Sequence, residues 1–352
     1  MFKMSLPHLV DLADISAKQL TEIVQLACEM QKNPSKYSDS QKGKILATLF
    51  YEPSTRTQLS FQTAMLRLGG QVIGFDNPSA TSVAKGENLR DTIKIIGGYA
   101  DIVAMRHPLE GAAKAATLFS AVPLINAGDG GHLHPTQTLT DLVTLMTYKK
   151  RIDNLKVGVC GDLKNGRTVH SLIKTMVNFE NVEFVLISTK NLRVPSYIKC
   201  AIEEKNGRYK EVFSLEDAIP ELDVLYMTRI QRERFESGEQ YLKEKEVYVL
   251  DAKKMSLAKK DLAVLHPLPK IDEIAPEVDN DDRALYFEQA KCGVYARMAV
   301  MTYMLNGKFS YQDAFCGSPS ADICGNKGCI TNWEAYLPKS RRENGSCEYC
   351  DK

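Results

Sequence analysis

Three segments set an Arg or His among hydroxyl and amide side chains, a grouping suited to an anion beside a carbonyl. In Glu52-Pro53-Ser54-Thr55-Arg56-Thr57 the hydroxyls and the Arg stand where an apolar run ends and a helical pattern begins. The N–H groups of a helix start, the hydroxyls of Ser54, Thr55 and Thr57 and the Arg56 fork together make a phosphate cradle. An ordinary helix cap with a surface Arg is the competing reading, and these residues alone do not separate the two. Met105-Arg106-His107-Pro108 ends a second apolar run. Gly128-Asp129-Gly130-Gly131-His132-Leu133-His134-Pro135-Thr136-Gln137 follows a third and leads into a helix. Arg and His at such strand ends suit polarisation of a carbonyl whose oxygen gains charge in the transition state. Ser82-Val83-Ala84-Lys85-Gly86-Glu87 adds a polar loop with a Lys. A metal pair at His132 and His134 is the weaker reading, because no Asp/Glu–His set of familiar spacing accompanies it.

The second half of the chain carries a different set. Gly158, Gly161 and Gly166 do not match the dinucleotide spacing G-x-G-x-x-G, and Arg167 replaces the small residue wanted there. Met227-Thr228-Arg229-Ile230-Gln231 and His266-Pro267-Leu268-Pro269 end further apolar runs. Arg167 and Arg229 suggest an acceptor with carboxylate groups, since the Arg fork matches a carboxylate. Either could instead pair with an acid such as Glu52 or Asp162.

These residues need elements to hold them. Ser16 and Gln19 have capping-box spacing ahead of a helix that runs to Pro34. Strands are expected at Lys44–Phe50, Gln71–Phe75, Asp101–Met105 and Val122–Asn126, with helices at Ser54–Leu68 and from Pro135 to about Lys150. A second series follows, with strands at Leu155–Cys160, Val182–Ser188, Val224–Thr228, Val247–Leu250 and Ala263–Leu265. Helices are expected at Thr168–Asn178 and Tyr286–Leu305. Short apolar strands alternating with helices imply an α/β fold of two doubly wound parallel-sheet domains, with a cleft between them. The expected division is 1–150 and 151–285, with the last helix, 286–306, packing back onto the first domain.

Composition excludes several classes. The chain has 352 residues, 45 basic and 44 acidic, so no broad basic field marks a nucleic-acid partner. No run approaches a membrane span, and the start lacks a signal-peptide core, which implies a cytoplasmic protein. The nine cysteines are unevenly placed. Cys28, Cys160, Cys200, Cys292 and Cys316 are scattered, whereas Cys324, Cys329, Cys347 and Cys350 crowd the last 29 residues. Their C-x4-C and C-x2-C spacings fit a four-cysteine zinc site of ribbon type over 317–352. A disordered reduced tail or stray disulfides are the alternatives. The chain's only Trp, Trp333, lies inside this loop.

The ordered motifs Ser-Thr-Arg-Thr, Ser-x-x-Lys-Gly-Glu, Met-Arg-His-Pro, His-Pro-Thr-Gln, Gly-Arg-Thr-Val-His-Ser, Met-Thr-Arg-x-Gln and His-Pro-Leu-Pro resemble those of aspartate carbamoyltransferases, over roughly residues 4–310. Ornithine carbamoyltransferases also carry Ser-x-Arg-Thr and His-Pro-x-Gln, but have His-Cys-Leu-Pro at the last motif and lack the Arg of Met-Thr-Arg-x-Gln. The resemblance implies transfer of the carbamoyl group of carbamoyl phosphate to L-aspartate, an early step of pyrimidine synthesis. It implies that Ser54, Thr55, Arg56 and Thr57 hold the phosphate, and that Thr55, Arg106 and His134 bond the carbonyl oxygen. Gln137, with the carbonyls of Pro267 and Leu268, would position the carbamoyl amide. Arg167, Arg229 and Gln231 would bind the aspartate carboxylates. Ser82 and Lys85 would come from a neighbouring subunit, giving a homotrimer with shared active sites. No cofactor is implied at the catalytic centre. Asn165 departs from the family, which carries Tyr there in well-studied members.

The tail resembles the zinc domain of the regulatory chain of some aspartate carbamoyltransferases, through Cys-x-Asn-x-x-Cys-Ile and Cys-x-Tyr-Cys. That domain docks on the catalytic subunit, so the tail is expected to dock likewise, on its own or a neighbouring subunit. The competing functions are a carbamoyltransferase for another amino acceptor such as ornithine, or a non-catalytic scaffold of the same fold.

Overall fold

The computed structural model describes residues 6–13, 15–230, 247–309 and 317–352. The chain divides into two compact units, Met1–Thr136 with Val294–Lys352, and Gln137–Gly293. In the first, β1 (Ile45–Phe50), β2 (Gln71–Phe75), β3 (Ile102–His107) and β4 (Leu124–Asp129) form a parallel sheet in the order β2-β1-β3-β4. β1 and β3 are buried almost throughout, as central strands covered on both faces must be. The edge strand β2 is only partly covered. β4 begins two residues later than the apolar run suggests, beyond Pro123, which has no N–H to give a ladder.

Helices supply the crossovers that parallel neighbours require. α1 (Ala17–Lys32) starts where the Ser16 hydroxyl accepts the Gln19 N–H, and Leu20, Ile23, Val24 and Ala27 form its buried face. α2 (Thr55–Arg67), α3 (Leu89–Ile96) and α4 (Ala112–Thr117) follow β1, β2 and β3 in turn. The long helix Tyr286–Leu305 enters this unit at Val294. There Arg67 donates to the Tyr295 hydroxyl (3.1 Å), and the Tyr303 hydroxyl donates to Glu22 (2.7 Å).

The second unit takes α5 (Pro135–Tyr148) from its third residue, Gln137, and carries α6 (Arg167–Met176). β5 (Lys156–Cys160), β6 (Glu183–Ile187), β7 (Arg208–Val212), β8 (Val224–Met227) and β9 (Ala263–Leu265) form a parallel sheet in the order β7-β6-β5-β8-β9. Two features differ from the apolar pattern. Val247–Leu250 is not a strand: its only ladder contact among the described residues is an isolated bridge from Leu250 to Ile274, and Tyr248 and Leu250 are buried by side-chain packing. β7, with the sequence RYKEV, is a strand that no apolar run announces, because it lies at the sheet edge and is mostly exposed.

The tail is ordered and packs on the first unit. Ser318–Pro319 pairs antiparallel with Ser340–Arg341. Its four cysteines, Ile330, Leu337 and Tyr349 share one apolar core with α4 and with Leu49 and Met105 of the sheet. α4 is Ala-Ala-Lys-Ala-Ala-Thr, so its small side chains let sheet and tail approach from opposite sides. Gly111, at φ +81°, is a close approach of this kind, since a Cβ there would lie 2.6 Å from Tyr349 Cβ.

Candidate active site

Functional side chains of the first unit gather at the C-terminal ends of β1, β3 and β4, where ligands bind in parallel sheets. After β1 the chain turns through Glu52 and Pro53 into α2. Ser54 is the N-cap residue, but its hydroxyl makes no capping bond, and no acidic residue stands in the first turn. Ser54, Thr55, Arg56 and Thr57 thus occupy consecutive positions at a helix start, an end that favours an anion. Partial burial lowers the Arg56 pKa.

Arg106, at the end of β3, pairs through Nη2 with Glu52 Oε1 at 2.6 Å and reaches the Ala127 carbonyl through Nη1 at 3.5 Å. Its buried Nε has no hydrogen-bond partner among the described residues. Burial lowers its pKa, the Glu52 carboxylate opposes this, and the nearby Arg56 charge adds to it. His134, buried, immediately precedes α5. Gly128 lies between the two at φ +122°. A Cβ on it would stand 2.9 Å from Arg106 Nη1 and 3.5 Å from His134 Cδ2, so glycine is required for both side chains to converge there. Gln137, the first residue of the second unit's share of α5, donates its amide to Asp141 at 2.8 Å, and Gln289 donates to the same carboxylate at 2.6 Å.

Asp129, at the end of β4, organises the loop before His134. Its carboxylate accepts from the N–H groups of Gly111 (2.8 Å) and Leu133 (3.1 Å) and from Asn126 Nδ2 (3.1 Å). It also meets His132 Nδ1 at 3.1 Å, while His132 Nε2 meets Asp351 of the tail at 3.0 Å. Burial alone would lower the His132 pKa, but these two carboxylates outweigh it and raise it to about 10. Both ring nitrogens of His132 are therefore engaged by acids, which corrects the metal reading of His132-x-His134. His107 behaves oppositely. Its Nδ1 accepts the Leu109 N–H at 3.1 Å, its ring packs 4.6 Å from that of Tyr51, and burial, opposed by Asp129, pushes its pKa down to about 4.

Ser82 and Lys85 lie on an exposed single turn after β2, and neither side chain makes a hydrogen bond or ion pair among the described residues. Among the described residues no contact draws them into the cluster of Arg106 and His134.

In the second unit, Arg167 opens α6 and Arg229 follows β8, both half-buried. Gln231 lies outside the described residues. The β5 and β8 ends are held together at Gly161, where a Cβ would come within 2.3 Å of the Thr228 carbonyl oxygen. Asn165 closes the turn before α6: its N–H and Nδ2 both donate to the buried Asp162 carboxylate, at 3.0 and 3.1 Å. After β9, His266 Nε2 meets Glu273 at 2.7 Å and its Nδ1 accepts the Leu268 N–H at 2.7 Å, which fixes the loop carrying Pro267 and Leu268. Leu268 has φ +55° and precedes a cis proline, Pro269. The supporting acids Glu52, Asp129 and Glu273 were not singled out for these roles from sequence. Each sits in or just beyond a motif, which is the only signal that marks them.

The four tail cysteines are buried, and their Sγ atoms lie within 4.8 Å of one another. Cys324 and Cys350 are 3.6 Å apart and Cys329 and Cys347 3.8 Å, too far for disulfides. Four thiolates at about 2.3 Å from one zinc would stand about 3.8 Å apart along each tetrahedral edge, so the donor set fits a four-cysteine metal site. Among the described residues no other group of three or more His, Cys, Asp or Glu is so placed.

Comparison with known proteins agrees with this geometry. Residues 7–147 match the model of the aspartate/ornithine carbamoyltransferase carbamoyl-P binding domain, and residues 153–304 that of the Asp/Orn binding domain. The aspartate carbamoyltransferase catalytic subunit of Clostridium perfringens is 60% identical over 299 residues, which cover 85% of this chain and 97% of that one. The solved catalytic subunit of M. jannaschii aspartate transcarbamoylase superposes with a TM-score of 0.81 at 46% identity, covering 87% of this chain and 100% of that one. The Trypanosoma cruzi aspartate transcarbamoylase solved with carbamoyl phosphate and aspartate gives 0.78 at 34% identity, covering 85% and 95%. The two matched segments end at residue 304, short of the tail cysteines. With two parallel-sheet α/β units, with Arg106 and His134 converging at the strand ends of the first, and with these relatives, the chain belongs to the aspartate carbamoyltransferase family.

Proposed function

We propose that the chain transfers the carbamoyl group of carbamoyl phosphate to the amino group of L-aspartate, releasing N-carbamoyl-L-aspartate and phosphate for pyrimidine synthesis. The observation that carries this reading is the convergence of Arg106 and His134 over Gly128, with Arg56 close by at the start of α2. The α2 start, with Ser54, Thr55, Arg56 and Thr57, holds the phosphate. Thr55, Arg106 and His134 bond the carbonyl oxygen and stabilise the charge it gains when the amine nitrogen attacks the carbonyl carbon. Gln137 already gives its amide N–H to Asp141, so its Oε1 is the end that accepts from the carbamoyl amide, aided by the carbonyls of Pro267 and Leu268. Arg167 and Arg229, with Gln231, take the two aspartate carboxylates. Collapse of the tetrahedral adduct breaks the carbon–oxygen bond to phosphate, and the departing phosphate accepts the amine proton. Residues 1–150 form the carbamoyl-phosphate domain and 151–285 the aspartate domain in this reading.

Exposed Ser82 and Lys85 serve the site of a neighbouring subunit in a homotrimer. Leu59 and Leu66 of α2 and Ile73 of edge strand β2 are apolar and exposed, which supports association through this flank. The tail cysteines hold a structural zinc, whose binding supplies folding energy to a segment with little core of its own. No helix among the described residues is long and apolar enough to cross a membrane, and a cytoplasmic site suits the reduced cysteines.

The test is kcat/KM with aspartate and with ornithine, for the unmodified chain and Arg229→Ala. The reading expects a strong preference for aspartate that Arg229→Ala removes mainly through KM. Equal use of ornithine, or indifference to Arg229, would overturn the acceptor assignment.

A further inference from the structure

The tail does more than pack on the first unit. It grips the two loops that bracket the proposed oxyanion site. The loop after β3, which begins just past Arg106, is clamped at Glu110. Its N–H donates to the Gly328 carbonyl and its carbonyl accepts the Ile330 N–H, both at 2.9 Å. The Glu110 carboxylate accepts from Asn326 Nδ2 at 2.7 Å and pairs with Lys352 at 2.7 Å. The loop after β4, which ends at His134, is reached through His132 between Asp129 and Asp351. The two loops also interlock: Gly130 donates to the His107 carbonyl at 2.8 Å, and a Cβ on Gly130 would strike Pro108 O at 2.6 Å. Asp351 is itself fixed. Its N–H donates to the Cys347 carbonyl at 3.0 Å, its other carboxylate oxygen pairs with Arg342 at 2.8 Å, and its backbone is held at φ +62°.

We propose that His132 is a positioning residue for the transfer reaction, which locks the His134 loop to the tail through the chain Asp129–His132–Asp351. Order in the metal-bound tail and turnover at a centre that needs no metal are thereby linked. This rests on the roles given above to His134 and to the tail cysteines. Asp129 holds the loop to its own strand, whereas the bond from His132 to Asp351 is a direct side-chain tie between that loop and the segment next to Cys350. Rigid placement of an oxyanion donor is worth most in the transition state, so loosening it lowers kcat and leaves KM nearly unchanged.

The experiment uses the full-length, zinc-loaded chain and its variants Asp351→Asn, His132→Asn and the double variant. Readouts are kcat, the KM for each substrate, bound zinc and the emission of Trp333, the chain's only Trp, which lies in the tail. Each single variant is expected to keep its zinc and its Trp333 emission and to lose about 3- to 30-fold in kcat, the range of measured couplings through such networks. The double variant is expected to be no worse than the poorer single one, because both act on one chain of bonds. His132→Gln, whose amide reaches toward Asp351, is expected to recover part of the loss. If Asp351→Asn sheds zinc, His132→Asn, which leaves the tail sequence intact, decides the question. Unchanged kcat in a zinc-loaded His132→Asn, or additive losses in the double variant, would overturn the proposal. Absence of carbamoyl-aspartate with the unmodified chain would instead refute the functional reading beneath it.

Discussion

Lys114 and Glu348 form the most deeply buried ion pair between α4 and the tail, and removing one partner tests whether the tail docks on this face. Their side chains are 5% and 0% exposed, and Nζ lies 2.5 Å from Oε1. Breaking a buried pair from one side costs about 3–5 kcal/mol, because the remaining charge loses its compensation without regaining water. Glu348 would keep one weaker cation, Arg342, whose Nε is 3.9 Å away and whose side chain is 41% exposed. The lower end is therefore expected for Lys114→Met, about 3 kcal/mol. At about 2–4 °C per kcal/mol for a unit of this size, the transition should fall by about 6–12 °C. Calorimetry of the zinc-loaded full-length chain measures it. The pair Lys114→Met with Glu348→Leu should return to within about 1 kcal/mol of the unmodified protein, since apolar replacement of a buried pair is near neutral. A shift below about 1 kcal/mol for Lys114→Met, or a double variant as unstable as the single, would refute this account of the dock.

Other expectations follow from the same geometry. His134→Ala should lower kcat by about 10²–10³, the usual loss of an oxyanion donor, with little change in stability, as steady-state kinetics beside a thermal melt would show. His107 accepts an N–H on Nδ1 and is held near pKa 4. The unfolded chain, with a His pKa of about 6.5, binds more protons between these values, so stability should fall as pH drops from about 6.5 toward 4. His107→Asn keeps an acceptor and does not titrate, so urea midpoints across this range should show a shallower acid loss. Cys347→Ser should release the metal and unfold the tail without unfolding the second unit, which metal analysis and hydrogen exchange would resolve.

Much of this was legible in the sequence, for identifiable reasons. Central strands such as β1 and β5 are continuous apolar runs because both of their faces are covered. The motifs proposed to be catalytic stand at strand ends, where an Arg or His after an apolar run is conspicuous. Edge strand β7 was not legible, since a polar RYKEV stretch pairs through its backbone and hides few side chains. Val247–Leu250 misled because burial of Tyr248 and Leu250 comes from packing, and apolar character does not distinguish packing from pairing. The cysteine spacing announced a four-cysteine cluster able to hold a metal but not its dock. Glu110 meets Asn326, and His132 meets Asp351, across more than two hundred residues. Local pattern carries no information about such partners.

The central claim is that strand-end cations and helix-start donors drive carbamoyl transfer to aspartate. It is tested most directly by supplying the chain with carbon-13-labelled carbamoyl phosphate and aspartate and following the label by NMR. The account predicts that the label passes into N-carbamoyl-L-aspartate with one phosphate released for each, and that ornithine gives no corresponding product. Label appearing only in hydrolysis products, or passing equally to ornithine, would contradict it.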